Sequence, residues 1–221
     1  MKPVHLKTKR LELEPMPNAE IEKRIEQSDE EMKKAYGEML EGCQKDPANR
    51  IWYAPWKMSL KGDPNYIGDL CFKGPAKKNA VEIGYGIEPA YEGKGYTTEA
   101  VKAMIEWAFR QSGVYFVEAE TEPDNKASQR ILEKCGFVLD GTGKEGPRFV
   151  LESPVTNWAT TYMCIGMSIG MGIGMTKNQM VLGMSIGMSL GVAAGLLMNQ
   201  NEEKQRKKLR AERKTKDEQQ G

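Results

Sequence analysis

At 221 residues, with 39% hydrophobic and 29% charged side chains, the chain is long enough for one ordinary domain and an appendage. Its 32 Lys and Arg nearly balance 31 Asp and Glu, which excludes a disordered polyelectrolyte and a strongly basic nucleic-acid binder. The balance hides three unequal pieces: residues 153–201 carry Lys177 as their one charge, and 202–221 carry 8 basic and 5 acidic side chains. The four cysteines (Cys43, Cys71, Cys135, Cys164) form no CxxC pair and His5 is the single histidine. No metal site is therefore expected, nor Ser-His-Asp or Cys-His catalysis. The first residues contain no apolar run of the secretory type, so a cytoplasmic catalytic domain with free thiols is expected.

In chain order, residues 4–14 alternate and read as a strand ending at Pro15. Helices are predicted over 18–27 and 29–44, the second capped by Asp29 and with Gly42 near its end. Strands follow over 50–60, 66–73 (after the turn at 62–65) and 80–88 (after the turn at 77–79). The loop 89–96 feeds a helix over 97–111 with Ala100, Val101, Met104, Ile105, Ala108 and Phe109 on one face. A strand over 114–121, a short helix over 125–135 ended by Gly136, and a closing hairpin of 137–139 with 149–151 complete a mixed α/β domain. Trp52, Tyr53 and Trp56 are expected in the core, with the lining of an acceptor pocket as the alternative. Cys71 and Cys135 are expected to be small buried hydrophobes rather than nucleophiles.

The loop before the 97–111 helix is a candidate anion cradle. Gly93 and Gly95 allow the main chain to approach a ligand closely. The first N–H groups of the helix, from Gly95 through Tyr96, Thr97 and Thr98, carry its partial positive charge, and Lys94 adds a cation. The pattern is neither GxxxxGK[ST] nor a three-glycine dinucleotide fingerprint, and read alone it is equally a tight turn.

Its surroundings add to it. The runs Glu82-Ile83-Gly84-Tyr85-Gly86-Ile87-Glu88-Pro89 and Tyr91-Glu92-Gly93-Lys94-Gly95-Tyr96-Thr97-Thr98-Glu99, then Asn125-Lys126-Ala127-Ser128 and Leu132-Glu133-Lys134-Cys135-Gly136-Phe137, resemble the GNAT superfamily of N-acetyltransferases. The opening Leu6-Lys7-Thr8-Lys9-Arg10-Leu11 fits its ribosomal-protein N-terminal acetyltransferase branch. The resemblance implies a splayed central sheet of the GNAT acyltransferase type, with acetyl-CoA in the V between strands 80–88 and 114–121 and its pyrophosphate on the loop. It implies that the main chain of Tyr85 and Ile87 pairs with the pantetheine arm, the Ile87 N–H being a candidate donor to the thioester oxygen. Two departures from the family loop stand out, Glu92 for Gln or Arg and Thr97 for a small residue. Amine transfer also calls for a base, and Glu82 is the candidate, with Glu118 and Glu120 as rivals and an inert strand carboxylate as the alternative. Many relatives place a tyrosine acid where this chain has Leu132. Ser128 stands where the N-terminal-acetylating branch places a hydroxyl near the sulfur, and it is otherwise a helix-surface serine. Asn125 is expected to cap its helix, to contact the pantetheine, or both.

Beyond residue 152 the pattern changes. Glycine recurs every fourth residue at 166, 170 and 174 and again at 183, 187, 191 and 195, with methionine in the same spacing beside it. A four-residue period is helical, and small-xxx-small stripes let helices approach closely in lipid. Residues 180–198 are long enough to span a hydrocarbon core, and residues 158–175 form a weaker partner. The basic residues Lys204, Arg206, Lys207, Lys208, Arg210, Arg213, Lys214 and Lys216 then favour a cytoplasmic end. The expected division is an acetyltransferase domain at 1–152, a glycine-zipper hairpin at 153–201 that enters membrane lipid or self-associates, and a charged helical or disordered tail at 202–221. The expected function is transfer of acetyl from acetyl-CoA to a primary amine, on a protein N-terminus or a small molecule, at the inner face of the cell membrane. The alternative is a non-catalytic module that binds acetyl-CoA or oligomerises.

Overall fold

The computed structural model describes residues 4–77 and 79–220, with side chains as far as residue 212. The turn residue Lys78 and the side chains of Arg213, Lys214 and Lys216 lie outside the described residues. The chain divides into two compact units, Met1–Ser153 and Pro154–Gly221.

In the first unit, β1 (Leu6–Lys7) and β2 (Leu11–Pro15) form a hairpin where the sequence predicts one strand. The difference is local. Thr8 bonds Leu11 through its main chain (3.0 Å), and its hydroxyl accepts from the Leu11 N–H (2.9 Å), which closes a tight turn. Helices α1 (Asn18–Gln27) and α2 (Glu30–Lys45) follow, α2 capped by Asp29 accepting from the Met32 N–H. The predicted strand over 50–60 is half helical. Pro47–Trp52 is a 3-10 segment with proline in its first turn and Asp46 as its cap, and only β3 (Trp56–Leu60) is extended. Then come β4 (Asp63–Phe72), β5 (Ala80–Ile87), α3 (Tyr96–Phe109), β6 (Phe116–Glu120), α4 (Lys126–Lys134), β7 (Val138–Thr142) and β8 (Pro147–Glu152).

The strands form one mixed sheet in the order β1-β2-β3-β4-β5-β6-β8-β7. The β5–β6 pair is parallel and the other pairs are antiparallel. The apolar stripe of α3 (Ala100, Val101, Met104, Ala108) is fully buried, in one cluster with Val81 and Ile83 of β5 and Val117 of β6. Trp107 stacks among Trp52, Trp56 and Phe72 at centroid distances of 4.8–5.8 Å, so Trp52 of the 3-10 segment and Trp56 of β3 both belong to the core. A smaller cluster of Met16, Ile21, Tyr36, Cys43 and Ala54 joins α1 and α2 to the first unit.

The second unit is a helical hairpin of α5 (Trp158–Thr176) and α6 (Met180–Gln220). Its glycines face each other. A Cβ on Gly166 or Gly170 would fall onto the main chain of Gly187 or Gly183, so only glycine permits this approach. Large apolar side chains point outward instead, with Ile169 60%, Val181 78% and Leu190 67% exposed. Among the described residues, α6 is the one helix long and apolar enough, by length and composition, to cross a membrane.

Candidate active site

The sheet opens where the loop 89–96 meets it. Pairing between β5 and β6 is confined to Ala80–Phe116, Val81–Val117 and Glu82–Glu118, although β5 runs on to Ile87. On its other edge, β5 bonds β4 through the N–H of Glu88 (to Ile67, 2.8 Å), and Lys73 donates to the Glu82 carbonyl (2.9 Å). Strand alternation then turns the peptide groups of Ile83, Tyr85 and Ile87 toward the gap between β5 and β6. Two of the sequence-predicted residues, Tyr85 and Ile87, thus present main-chain groups along one open edge.

At the same end, Gly93 (φ +70°) and Gly95 (φ +76°) are left-handed, which explains the residue type at both. Gly95 is the N-cap of α3 and no side chain caps the helix. A Cβ at Gly93 would meet nothing within 4 Å, and one at Gly95 only the Arg10 Nη2 at 3.7 Å. The loop is therefore bare on its outer side, as a close-approaching anion requires. Thr97, one of the two departures from the family loop, is buried, so its side chain points inward and not into the cradle. Lys94 donates to the Ala90 carbonyl (2.9 Å) and lies 5.2 Å over the Tyr91 ring.

Sequence reasoning did not assign Arg10 a role. Its guanidinium donates to the Lys94 carbonyl (3.0 Å) and to the Glu99 carboxylate (2.7 Å), and rests 4.5 Å over the Tyr96 ring. Glu99 also accepts from the Thr8 hydroxyl (2.6 Å) and the Arg10 N–H (2.8 Å). The β1–β2 turn is thereby strapped onto the first turn of α3, with a cation beside the cradle. No local pattern announces a contact across 89 residues.

Asn125 caps α4 by accepting from the Ser128 N–H (2.9 Å). The Ser128 hydroxyl lies 2.9 Å from the Tyr85 hydroxyl, which joins β5 to α4. Burial, opposed by this hydrogen bond, pushes the Tyr85 hydroxyl up to about 12, so it is protonated at neutral pH. Leu132 is fully buried in the core. Glu82 is not isolated, because Lys73 meets it at 2.5 Å and also holds Glu145 at 2.8 Å. Burial pushes the Glu82 carboxyl above the ordinary range, against the pull of the Lys73 ammonium. Glu120 accepts from the Glu145 N–H (3.0 Å), which places the rival carboxylate beside the same cluster.

A family model described as an acetyltransferase (GNAT) domain matches residues 10–138. The uncharacterised N-acetyltransferase YjdG of Bacillus subtilis is 34% identical over 91 residues, 41% of this chain and 54% of that protein. The match thus spans about half the length of this curated relative. Two solved structures share the fold. A putative ribosomal-protein-serine acetyltransferase from Vibrio cholerae has a TM-score of 0.55 at 20% identity, over 69% of this chain and 100% of that one. RimJ of Mycobacterium smegmatis, in complex with CoA-disulfide, has a TM-score of 0.54 at 16% identity, over 69% and 88%. With its sheet parted beside a bare glycine loop and a family match over 10–138, the chain belongs to the GNAT acetyltransferase family.

Proposed function

We propose that the chain transfers acetyl from acetyl-CoA to a primary amine. The observation that carries this reading is the uncapped, glycine-lined start of α3 at the open end of the β5–β6 gap. The N–H groups of Gly95, Tyr96, Thr97 and Thr98, with Lys94 and Arg10 alongside, hold the pyrophosphate. The open edge of β5 at Tyr85 and Ile87 holds the pantetheine arm, and the Ile87 N–H is the donor to the thioester oxygen. Acetyl-CoA supplies an activated acyl group. The amine nitrogen bonds its carbonyl carbon as the carbon–sulfur bond breaks.

Glu82 takes the proton that the amine loses, directly or through water, and its raised carboxyl suits a base better than an ordinary glutamate. Ser128, held by Tyr85, donates a hydrogen bond to the departing thiolate, which takes its proton from solvent. The loss of the tyrosine acid at Leu132 favours a second reading, a sensor that binds acetyl-CoA without turnover. Calorimetry of the full chain with acetyl-CoA, followed by thiol release across an amine panel, separates the two. Binding with release supports the transferase, binding without release the sensor, and no binding sinks both.

The hairpin anchors the enzyme to a membrane in this reading. Outward-facing Ile169, Ile173, Ile186 and Leu190 line an apolar groove of about 350 Å³ between α5 and α6, a surface suited to lipid. Their glycines are already used within one chain, so self-association through the same stripe requires the hairpin to open. Lys204, Lys207, Lys208 and Arg210 suit the cytoplasmic headgroup side. Arg206 does not join them, since it is buried and donates to Glu202 (2.8 Å) and the Pro154 carbonyl (2.9 Å). Recovery of the full chain in the supernatant after membrane sedimentation would overturn the anchor.

A further inference from the structure

The sheet face opposite α3 carries a polar lane that the reading above uses only at one end. Strand alternation puts Val81 and Ile83 toward α3, and therefore Glu82, Gly84 and Gly86 on the other face. Opposite them stand Asp69 and Cys71 of β4 and, just past its end, Lys73. Glu82 and Lys73 close one end as an ion pair. Asp69 sits at the other end, across from Gly86, which lies between Tyr85 and Ile87, whose peptide groups face the gap.

Asp69 is only 9% exposed. Its Oδ2 accepts from the Tyr36 hydroxyl of α2, and Tyr66 acts on the same carboxyl from nearby. Its Oδ1 is placed differently. A Cβ at Gly86 would lie 3.9 Å from Oδ1 and meet nothing nearer, and Gly86 is exposed although it lies on a central strand. One carboxylate oxygen is thus gripped and the other borders open space. Behind them, the Arg24 guanidinium lies 3.1 Å over the Tyr66 ring and 3.9 Å from Glu88, and its buried Nε has no hydrogen-bond partner. A buried carboxylate whose nearest cation is shared with a second carboxylate is incompletely compensated. Burial accordingly pushes the Asp69 carboxyl up, against the pull of Tyr36, Tyr66 and Arg24.

We propose that Asp69, oriented by Tyr36 and Tyr66, is the receptor for the acceptor's ammonium group, so that the substrate is a cationic primary amine bound in its protonated form. A primary ammonium offers N–H donors to the free carboxylate oxygen and to the phenol oxygens, and supplies the missing charge. Glu82 lies four residues back along β5, about 13 Å at the strand rise, so the proton of an ammonium held at Asp69 reaches Glu82 through water and not by direct contact. This assignment rests on the N-acetyltransferase reading.

The test uses the full chain at saturating acetyl-CoA, with n-butylamine, spermidine and a seryl peptide as amines and thiol release as the readout. Asp69→Asn keeps an acceptor for Tyr36 while removing the charge. It raises KM for each accepted amine by about ten-fold or more, and leaves the acetyl-CoA Kd within about two-fold. Tyr36→Phe moves KM in the same direction by a smaller factor, and carries the test alone should Asp69→Asn fail to fold. Equal KM in native and variant proteins, or an acetyl-CoA Kd that shifts as much as KM, overturns the role of Asp69 and leaves the transferase reading intact. Absence of acetyl-CoA binding by the native chain overturns that reading first, and this assignment with it. If acetyl-CoA binds but no amine is turned over, n-butylammonium is titrated calorimetrically into the CoA-saturated native and Asp69→Asn proteins. No binding to the native protein, or equal binding to both, overturns the proposal.

Discussion

At the scale of single residues, the cradle depends on what is missing. Gly95 is left-handed and its outer side is open, so Gly95→Glu adds both backbone strain, about 1–2 kcal/mol, and a carboxylate facing the pyrophosphate. The variant is expected to melt a few degrees lower yet remain folded, with an acetyl-CoA Kd raised by about ten-fold or more in calorimetry. Unchanged affinity would remove the phosphate role from this loop. Glu82→Gln should lower kcat by about 10²–10⁴-fold if that carboxylate is the base. Lys73 stabilises the charged form of Glu82. Lys73→Met therefore raises the Glu82 carboxyl further, and the acidic limb of the kcat/KM profile moves to higher pH. A limb that stays put, or moves to lower pH, argues for another base.

At the scale of elements, the strap from the β1–β2 turn to α3 is an electrostatic joint. Burial works to raise the Glu99 carboxyl, but hydrogen bonds from Thr8 and Arg10 outweigh it and hold the group below its ordinary range. A depressed carboxyl stabilises the fold above the unfolded value, near pH 4.3, and that stabilisation is lost as pH falls through the folded value. Glu99→Gln is thus expected to cost about 1–2 kcal/mol at pH 7, read as a lower Tm, and to match the native chain once both forms are neutral at strongly acidic pH. A deficit that persists unchanged in acid would assign the loss to packing. The elements themselves were mostly legible. Asp29 capping α2 and the apolar stripe of α3 follow from local spacing. The 3-10 segment Pro47–Trp52 was not, because Trp52 looks like a strand aromatic until Phe72 and Trp107 surround it.

At the scale of the molecule, the two units are built on different principles. The first buries aromatic and branched side chains. The second packs glycine main chain on glycine main chain and turns its Ile and Leu outward, which in water leaves a large unpaid apolar surface and in lipid leaves none. Leu190→Arg, at an exposed position near the middle of the apolar stretch of α6, carries an insertion penalty of about 2.5–3.5 kcal/mol. It is expected to shift the full chain from the membrane pellet toward the supernatant while acetyl-CoA binding is kept. An undiminished pellet fraction would mean that α6 is not what holds the protein there.

The sequence by itself determined the local features: a glycine loop opening a helix, an Asn cap three residues before Ser128, and a four-residue glycine period. Steric limits on φ, capping and helical periodicity all act within a few residues, so they can be read from adjacent letters. Only the tertiary structure decided which side chains meet: Tyr85 with Ser128, Arg10 with Glu99, Lys73 with Glu82, and Tyr36 with Asp69. Each of those pairs depends on strand register and on the placement of helices against the sheet. A one-residue slip in register would send Asp69 and Glu82 to the opposite face.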